Sequence, residues 1–305
     1  MNYKKLKETI FGLIELLRPF NCLIAGLAAY LGYCISLGNI QWNFQAIMLI
    51  LVAFLVCGAG QAINDYFDAQ IDVKSSKKAR PIPSARVSAK QAILYSAGIF
   101  IIANALAFFY LPRIAYLISI FYSLLLIAYS VFLKRIKYLG NILVASATGI
   151  TYFFGASIIG NYFLIWILAL SAFFANWARE ITKDVEDIQI DKLDKITLPM
   201  MIGNKASEFF GIVLYLIAIP LVVFPSFIPA LISKGIFNPN YLTNQQLVMV
   251  ENFASPAFIA LISFSAALMI IAALNLYRRK YNISQKFAKF AMALAIISYF
   301  IALMI

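Results

Sequence analysis

Asn64-Asp65-Tyr66-Phe67-Asp68-Ala69-Gln70-Ile71-Asp72 closes an apolar run that begins at Phe44. Steps of three and then four residues return to one face of an α-helix, so the segment predicts one acidic stripe ending a membrane-length helix. The same spacing recurs 119 residues later at Asp184, Asp187 and Asp191, again after an apolar run. Like charges at such steps repel, yet six of the chain's 13 acidic residues lie in these two triplets. A hard divalent cation, held by carboxylate oxygens and shared with a phosphate, relieves that repulsion.

Composition places the stripes in a membrane. Hydrophobic residues make up 63% of the 305-residue chain, charged residues 12%, and the mean hydropathy is +0.86. A soluble domain is roughly half apolar and a quarter charged. Nine runs are each long enough to cross ~30 Å of hydrocarbon as a helix. They are Phe20–Leu37, Phe44–Ile63, Ala92–Leu111, Ile114–Leu133, Leu139–Ile159, Tyr162–Ala178, Phe209–Ile232, Ala254–Leu276 and Phe287–Ile305. The expectation is an all-α integral membrane protein, one polytopic unit over residues 1–305, with no separate soluble domain. The constant offset between the triplets suggests two related halves, spans one to four and five to eight. Lys4, Lys5, Lys7 and Glu8 interleave with Leu6, Ile10, Leu13 and Leu17, which reads as an interfacial amphipathic helix and not a cleaved signal.

With the N-terminus cytoplasmic, all but Arg113 and Lys234 of the 25 Lys and Arg fall on the cytoplasmic side, as the positive-inside rule requires. The C-terminus is then outside, and both aspartate triplets reach the cytoplasmic face, where they can meet. The net charge of +12 reads as a topogenic signal facing anionic headgroups, not as a nucleic-acid surface.

Absences narrow the chemistry. The chain has no histidine, which removes zinc–histidine sites, histidine-ligated haem and imidazole acid–base catalysis. Cys22, Cys34 and Cys57 stand singly in apolar spans and read as small buried hydrophobes. No Walker loop offers a cradle for nucleotide hydrolysis. Two other classes fit less well. A secondary transporter holds its acids near mid-membrane on broken helices, and a non-catalytic lipid-binding protein has no use for two matched stripes.

A basic loop follows the first triplet, with Lys74, Lys77, Lys78 and Arg80 ahead of Pro81-Ile82-Pro83-Ser84, and Arg179 and Lys183 precede the second. This is what a magnesium diphosphate requires: carboxylates for the metal, and Lys or Arg for the remaining phosphate charge. At these positions the chain resembles the UbiA-type intramembrane prenyltransferases. Asn64 through Asp72 matches their N-D-x-x-D-x-x-x-D after the second span, and Asp184 through Asp191 their D-x-x-D-x-x-x-D after the sixth. Arg18-Pro19-Phe20-Asn21 matches an R-P-x-N opening the first span, and Tyr129 through Lys134 a Tyr-to-Lys segment closing the fourth. Within that superfamily, Glu15 through Cys22, Ala175 through Asp187 and Thr197-Leu198-Pro199 are similar to the archaeal digeranylgeranylglyceryl phosphate synthases. The chain departs from them at Ala79, where Asn usually precedes Arg-Pro, at Ala85, where Gly usually stands, and at Ile190, where Gly often precedes the last Asp.

The resemblance implies nine transmembrane helices around a central cavity open toward lipid, capped by the cytoplasmic loops, with the active site opening toward the cytoplasm. It implies Mg²⁺-dependent transfer of a geranylgeranyl group from geranylgeranyl diphosphate to the sn-2 hydroxyl of 3-O-geranylgeranylglyceryl 1-phosphate, an archaeal ether-lipid step. On this reading Asn64, Asp65, Asp68 and Asp72 hold one Mg²⁺, and Asp184, Asp187 and Asp191 the other. Arg18, Arg80, Lys134 and Lys183 are the candidates for diphosphate contacts, with Asn21 for the acceptor and Tyr129 for the prenyl diphosphate. Arg18 and Lys134 rank first, because each ends an apolar helix where a charge needs a partner. The nearest alternative is the same chemistry on an aromatic acceptor for quinone synthesis.

Overall fold

A computed structural model describes residues 3–73, 78–136, 139–192 and 196–305, with the side chains of residues 190 and 191 outside that description. Its regular structure is helical: α1 (Tyr3–Leu17), α2 (Pro19–Leu37), α3 (Phe44–Asp72), α4 (Ala89–Tyr110), α5 (Arg113–Val131), α6 (Leu139–Ala156) and α7 (Phe163–Glu186). There follow α8 (Ile188–Asp191), α9 (Leu198–Ile202), α10 (Asn204–Val223), α11 (Ile228–Ser233), α12 (Asn244–Asn252), α13 (Pro256–Tyr277) and α14 (Tyr281–Met304). Among the described residues nine helical stretches are long and apolar enough to cross a membrane, and the chain is a multi-pass membrane protein.

Helix ends follow local chemistry. Asn43 caps α3 by accepting from the Ala46 N–H at 2.8 Å. Ser88 with Gln91, and Thr243 with Gln246, form capping boxes that open α4 and α12. Pro19 sits at the first position of α2, where its missing N–H is harmless. Arg18, before it, takes a left-handed conformation with φ 50° and so turns α1 away from α2. Two buried small residues, Thr9 and Gly12, seat α1 on the loop around 79–87. Thr9 donates to the Arg86 carbonyl at 3.0 Å, and Glu15 accepts from Arg86 Nη1 at 2.7 Å, which holds that guanidinium still further above its usual range. The larger apolar residues Leu6, Ile10, Phe11 and Ile14 face away, exposed.

One expectation is borne out with a local detail, and another needs correction. The seventh span, expected over Phe209–Ile232, is a single membrane-length stretch over Asn204–Ser233, with a 3₁₀ turn at Phe224–Phe227 between α10 and α11. Pro220, Pro225 and Pro229 remove successive helix donors there. The second acidic triplet does not share one helix. The long helix α7 stops at Glu186, Asp187 leaves helical geometry at φ −90° and ψ 7°, and the short α8 carries Asp191. The first triplet does lie on a single unbroken helix, α3.

Packing centres on α2, which is sandwiched between α3 and α6. The α2–α6 backbones nearly touch. A Cβ at Gly155 would lie 1.8 Å from the Ala29 carbonyl oxygen, and one at Gly32 would lie 2.2 Å from that of Tyr152. Near the far ends of these helices, Leu31, Ile35, Leu164, Ile165, Phe253 and Phe258 form a dry core. Gln246 of α12 is wholly buried there, donating to the Ile35 and Ser36 carbonyls at 3.0 and 3.2 Å and accepting from Asn161 Nδ2 at 2.8 Å. At the opposite face the ends of α3, α5, α7 and the start of α14 gather, and there the ionisable residues meet.

Candidate active site

A cavity of about 420 Å³ runs between α2, α3, α5, α6, α7 and α14, within the usual range for a small-molecule site. Most of its wall is apolar or aromatic, including Phe20, Val56, Leu126, Tyr152, Phe154 and Tyr299. Polar groups concentrate at the α3–α7 end: Arg18, Asn21, Asn64, Tyr129, Arg179 and Lys183.

The first stripe is fully engaged. Asp65 and Asp72 are buried. Asp65 accepts from Arg18 Nη2 and, at 3.1 Å, from Arg80 Nη1. Arg80 Nη1 also reaches Asp72 Oδ2 at 2.7 Å, so one guanidinium spans two turns of the stripe. Lys134, held in a 3₁₀ turn after α5, donates to Asp68 Oδ1, and Asn64 Nδ2 donates to Asp68 Oδ2 at 2.8 Å. Three basic side chains from three segments thus neutralise three aspartates, as buried carboxylates require. The Asn64 amide oxygen is buried without a hydrogen-bond partner.

The second stripe is set differently. Asp184 is buried and accepts from Asn141 Nδ2 of α6 at 2.6 Å. Asp187 stands at the break after α7, and the Asp191 side chain lies outside the described residues, as do Lys74, Lys77, Lys137 and Lys195. Among the described residues no three acid or thiol groups converge as a ready-made metal shell. Lys183, expected beside the diphosphate, faces the Glu180 carboxylate at 3.6 Å. Arg18, Asn21, Asn64, Tyr129 and Lys183 share the cavity lining, whereas Arg80, Lys134 and the aspartates Asp65, Asp68, Asp72, Asp184 and Asp187 lie off it.

Sequence reasoning missed Asn141, Asn176, Glu180 and Lys289. Asn176 donates to Thr148 Oγ1 at 2.8 Å and accepts from Arg179 Nη1 at 2.8 Å. A usable signal existed for Asn141 and Asn176, since an amide inside an apolar span demands a partner. Lys289 carried none, being one more lysine among the cytoplasmic cations.

Residues 25–297 match the model of the UbiA prenyltransferase family. The chain belongs to that family. It is 41% identical to the digeranylgeranylglyceryl phosphate synthase of Thermococcus kodakarensis over 224 residues, covering 73% of this chain and 78% of that one. It is 33% identical to the enzyme of the same name from Pyrococcus horikoshii over 287 residues, 94% and 95% of the two chains. A solved digeranylgeranylglyceryl phosphate synthase superposes with a TM-score of 0.69 at 28% identity, over 98% of this chain and all of that one. A UbiA homologue from Archaeoglobus fulgidus bound to GPP and Mg²⁺ shares the fold at 18% identity, with a TM-score of 0.66 over 96% and 100% of the two chains. This member of the UbiA family is therefore a prenyltransferase, and its helical fold is shared by the solved UbiA homologues.

Proposed function

We propose that this prenyltransferase moves a geranylgeranyl group from geranylgeranyl diphosphate to the sn-2 hydroxyl of 3-O-geranylgeranylglyceryl 1-phosphate. One observation carries the reading: a mostly apolar cavity is lined at one end by Arg18 and Asn64, and these two residues bond directly to the Asp65–Asp68–Asp72 stripe, which Arg80 and Lys134 also pair. An isoprenoid chain suits the wall, and a metal-bound diphosphate suits the end. The names of the relatives support the acceptor.

The donor set fits Mg²⁺. Its ligands are hard oxygens, and the buried Asn64 Oδ1 still lacks a partner. We assign Asn64, Asp65, Asp68 and Asp72 to one ion, and Asp184, Asp187 and Asp191 to the other. When bound, Mg²⁺ supplies positive charge to the departing diphosphate. Arg18, Arg80 and Lys134 offset the stripe's charge in its absence, and we assign them to phosphate oxygens in its presence. In the transfer the allylic C–O bond of the diphosphate breaks, and the hydroxyl oxygen of the acceptor forms the new ether bond. The hydroxyl proton leaves to a carboxylate or to the diphosphate itself, because no imidazole exists in the chain. Tyr122, Tyr129, Tyr152 and Phe154 are among the residues that line the cavity, and we assign their π systems to stabilising the delocalised allylic cation. Tyr129 is assigned to the prenyl diphosphate and Asn21 to the acceptor. We assign the N-terminus and the cavity mouth to the cytoplasmic side and the C-terminus to the outside, on the bias of Lys and Arg along the sequence.

The test is a side-by-side assay. Purified protein with labelled geranylgeranyl diphosphate and Mg²⁺ receives geranylgeranylglyceryl phosphate, its dephosphorylated alcohol, or 4-hydroxybenzoate. Efficient prenylation of the phosphorylated lipid alone is expected, and EDTA should abolish it. Equal or better use of 4-hydroxybenzoate would leave the family standing and overturn the lipid acceptor.

A further inference from the structure

Away from the first stripe, three more cations line the same cavity. Arg179 and Lys183 stand about one turn apart on α7, and Lys289 stands on α14. Arg179 and Lys183 share one carboxylate. Glu180, 7% exposed, accepts from Arg179 Nη1 at 2.6 Å and faces Lys183 Nζ at 3.6 Å. Arg179 Nε is buried with no hydrogen-bond acceptor. Lys289 makes no ion pair among the described residues, although the charges of Arg179, Glu180, Lys183 and Arg18 all reach it. The first stripe gives no relief, because Asp65, Asp68 and Asp72 are already matched by Arg18, Lys134 and Arg80. On the cavity lining, among the described residues, these three cations stand against the single carboxylate of Glu180, and positive charge in mostly apolar surroundings is costly to desolvate. A dianion corrects that imbalance. A phosphate monoester carries about −1.5 to −2 charges near neutral pH and offers three acceptor oxygens.

We propose that Arg179, Lys183 and Lys289 form a phosphate-monoester subsite that holds the phosphate of the acceptor, separate from the diphosphate end at the first stripe. The proposal deepens the acceptor reading above and rests on it. Glu180 and Asn176 position the guanidinium of Arg179, and Lys289 closes the subsite from the last helix. Recognition of the acceptor is then largely recognition of its phosphate, and an acceptor without one loses these charge-assisted contacts.

Lys289→Gln is the informative variant, because Lys289 lies in no aspartate motif and, among the described residues, makes no ion pair whose partner its loss would strand. In the full-length protein, the KM for geranylgeranylglyceryl phosphate should rise about tenfold to a hundredfold, the range for a lost charged hydrogen bond. The KM for geranylgeranyl diphosphate should not move, Lys289→Arg should restore the acceptor KM, and Lys183→Gln should repeat the effect. Size-exclusion and thermal-shift profiles check that each variant is folded. Unchanged acceptor KM in both glutamine variants, or an equal rise for both substrates, overturns the subsite. Should the wild type prenylate an aromatic acid instead of the lipid, the acceptor reading fails by itself. Calorimetry with geranylgeranylglyceryl phosphate then decides the subsite: binding that Lys289→Gln abolishes sustains it, and no binding by the wild type overturns it.

Discussion

At Lys134 an ammonium is buried to 6% exposure, while its partner Asp68 keeps 23% of its side chain exposed and a second hydrogen bond from Asn64. The two halves of this pair are therefore not equivalent. Asp68→Ala strands a buried cation and should destabilise the protein by about 3–5 kcal/mol. Lys134→Met leaves a carboxylate with water and an amide to turn to, and should cost about 1–2 kcal/mol. Both variants should lose turnover, so the asymmetry is read from thermal unfolding in detergent. Equal shifts would mean that Lys134 finds another carboxylate. A second residue-scale expectation concerns Ala85, which holds φ 58° where only glycine is unstrained. Its loop is pinned by Val87 N–H to the Pro81 carbonyl at 3.0 Å and by Arg86 Nη2 to the Ala79 carbonyl at 2.7 Å. Ala85→Gly should raise stability by about 0.5–1 kcal/mol, relief of strain outweighing the added freedom of the unfolded chain. A lower melting temperature would show that the strain is not felt.

Between elements, the decisive contact is α2 on α6. Gly155→Ala places a methyl group onto a backbone carbonyl that cannot rotate away, so the helices must separate and the cavity wall with them. A loss of at least ~2 kcal/mol is expected, as for an overpacked core. The internal control is Gly98 in α4, where an added Cβ meets nothing within 4 Å. Gly98→Ala should stabilise by about 0.5–1 kcal/mol through helix propensity alone. Melting temperatures moving in opposite directions would support the close approach, and two similar shifts would refute it. The same level shows what could be read in advance. Helix existence was legible because hydropathy is a local property, and the Asp65–Asp68–Asp72 stripe because its spacing is the helix period itself. The break at Asp187 was not, since the same three-and-four spacing persists through a helix end. Nor was the reach of Arg80 across Asp65 and Asp72, or the approach of Lys289 to α7. Both depend on how distant segments pack, and no periodicity encodes that.

Across the whole molecule, successive spans alternate in direction, so the ends bearing Arg18, Lys134, Lys183 and Arg278 share one face. In a chain whose native cysteines are replaced, Lys280→Cys should react with an impermeant maleimide only after the membrane is opened. Asn240→Cys, exposed at the other face, should react in intact cells, and the reverse pattern would invert the topology. The dry core beneath the cavity has a further consequence, in the energetics of the membrane it sits in. Buried charges and a water-filled hollow are the parts from which a proton path is made. Here Ala28, Leu168, Val222 and Tyr299 belong both to the cavity's lining and to the apolar core that continues through Leu31, Ile35 and Leu164 to Gln246, whose amide is hydrogen-bonded on both sides. A cell living on an ion gradient can thus carry many copies of this catalyst without short-circuiting itself. Vesicles loaded with the protein should hold a pH difference as long as empty ones, and the seal should begin to leak when Gln246 is exchanged for glycine.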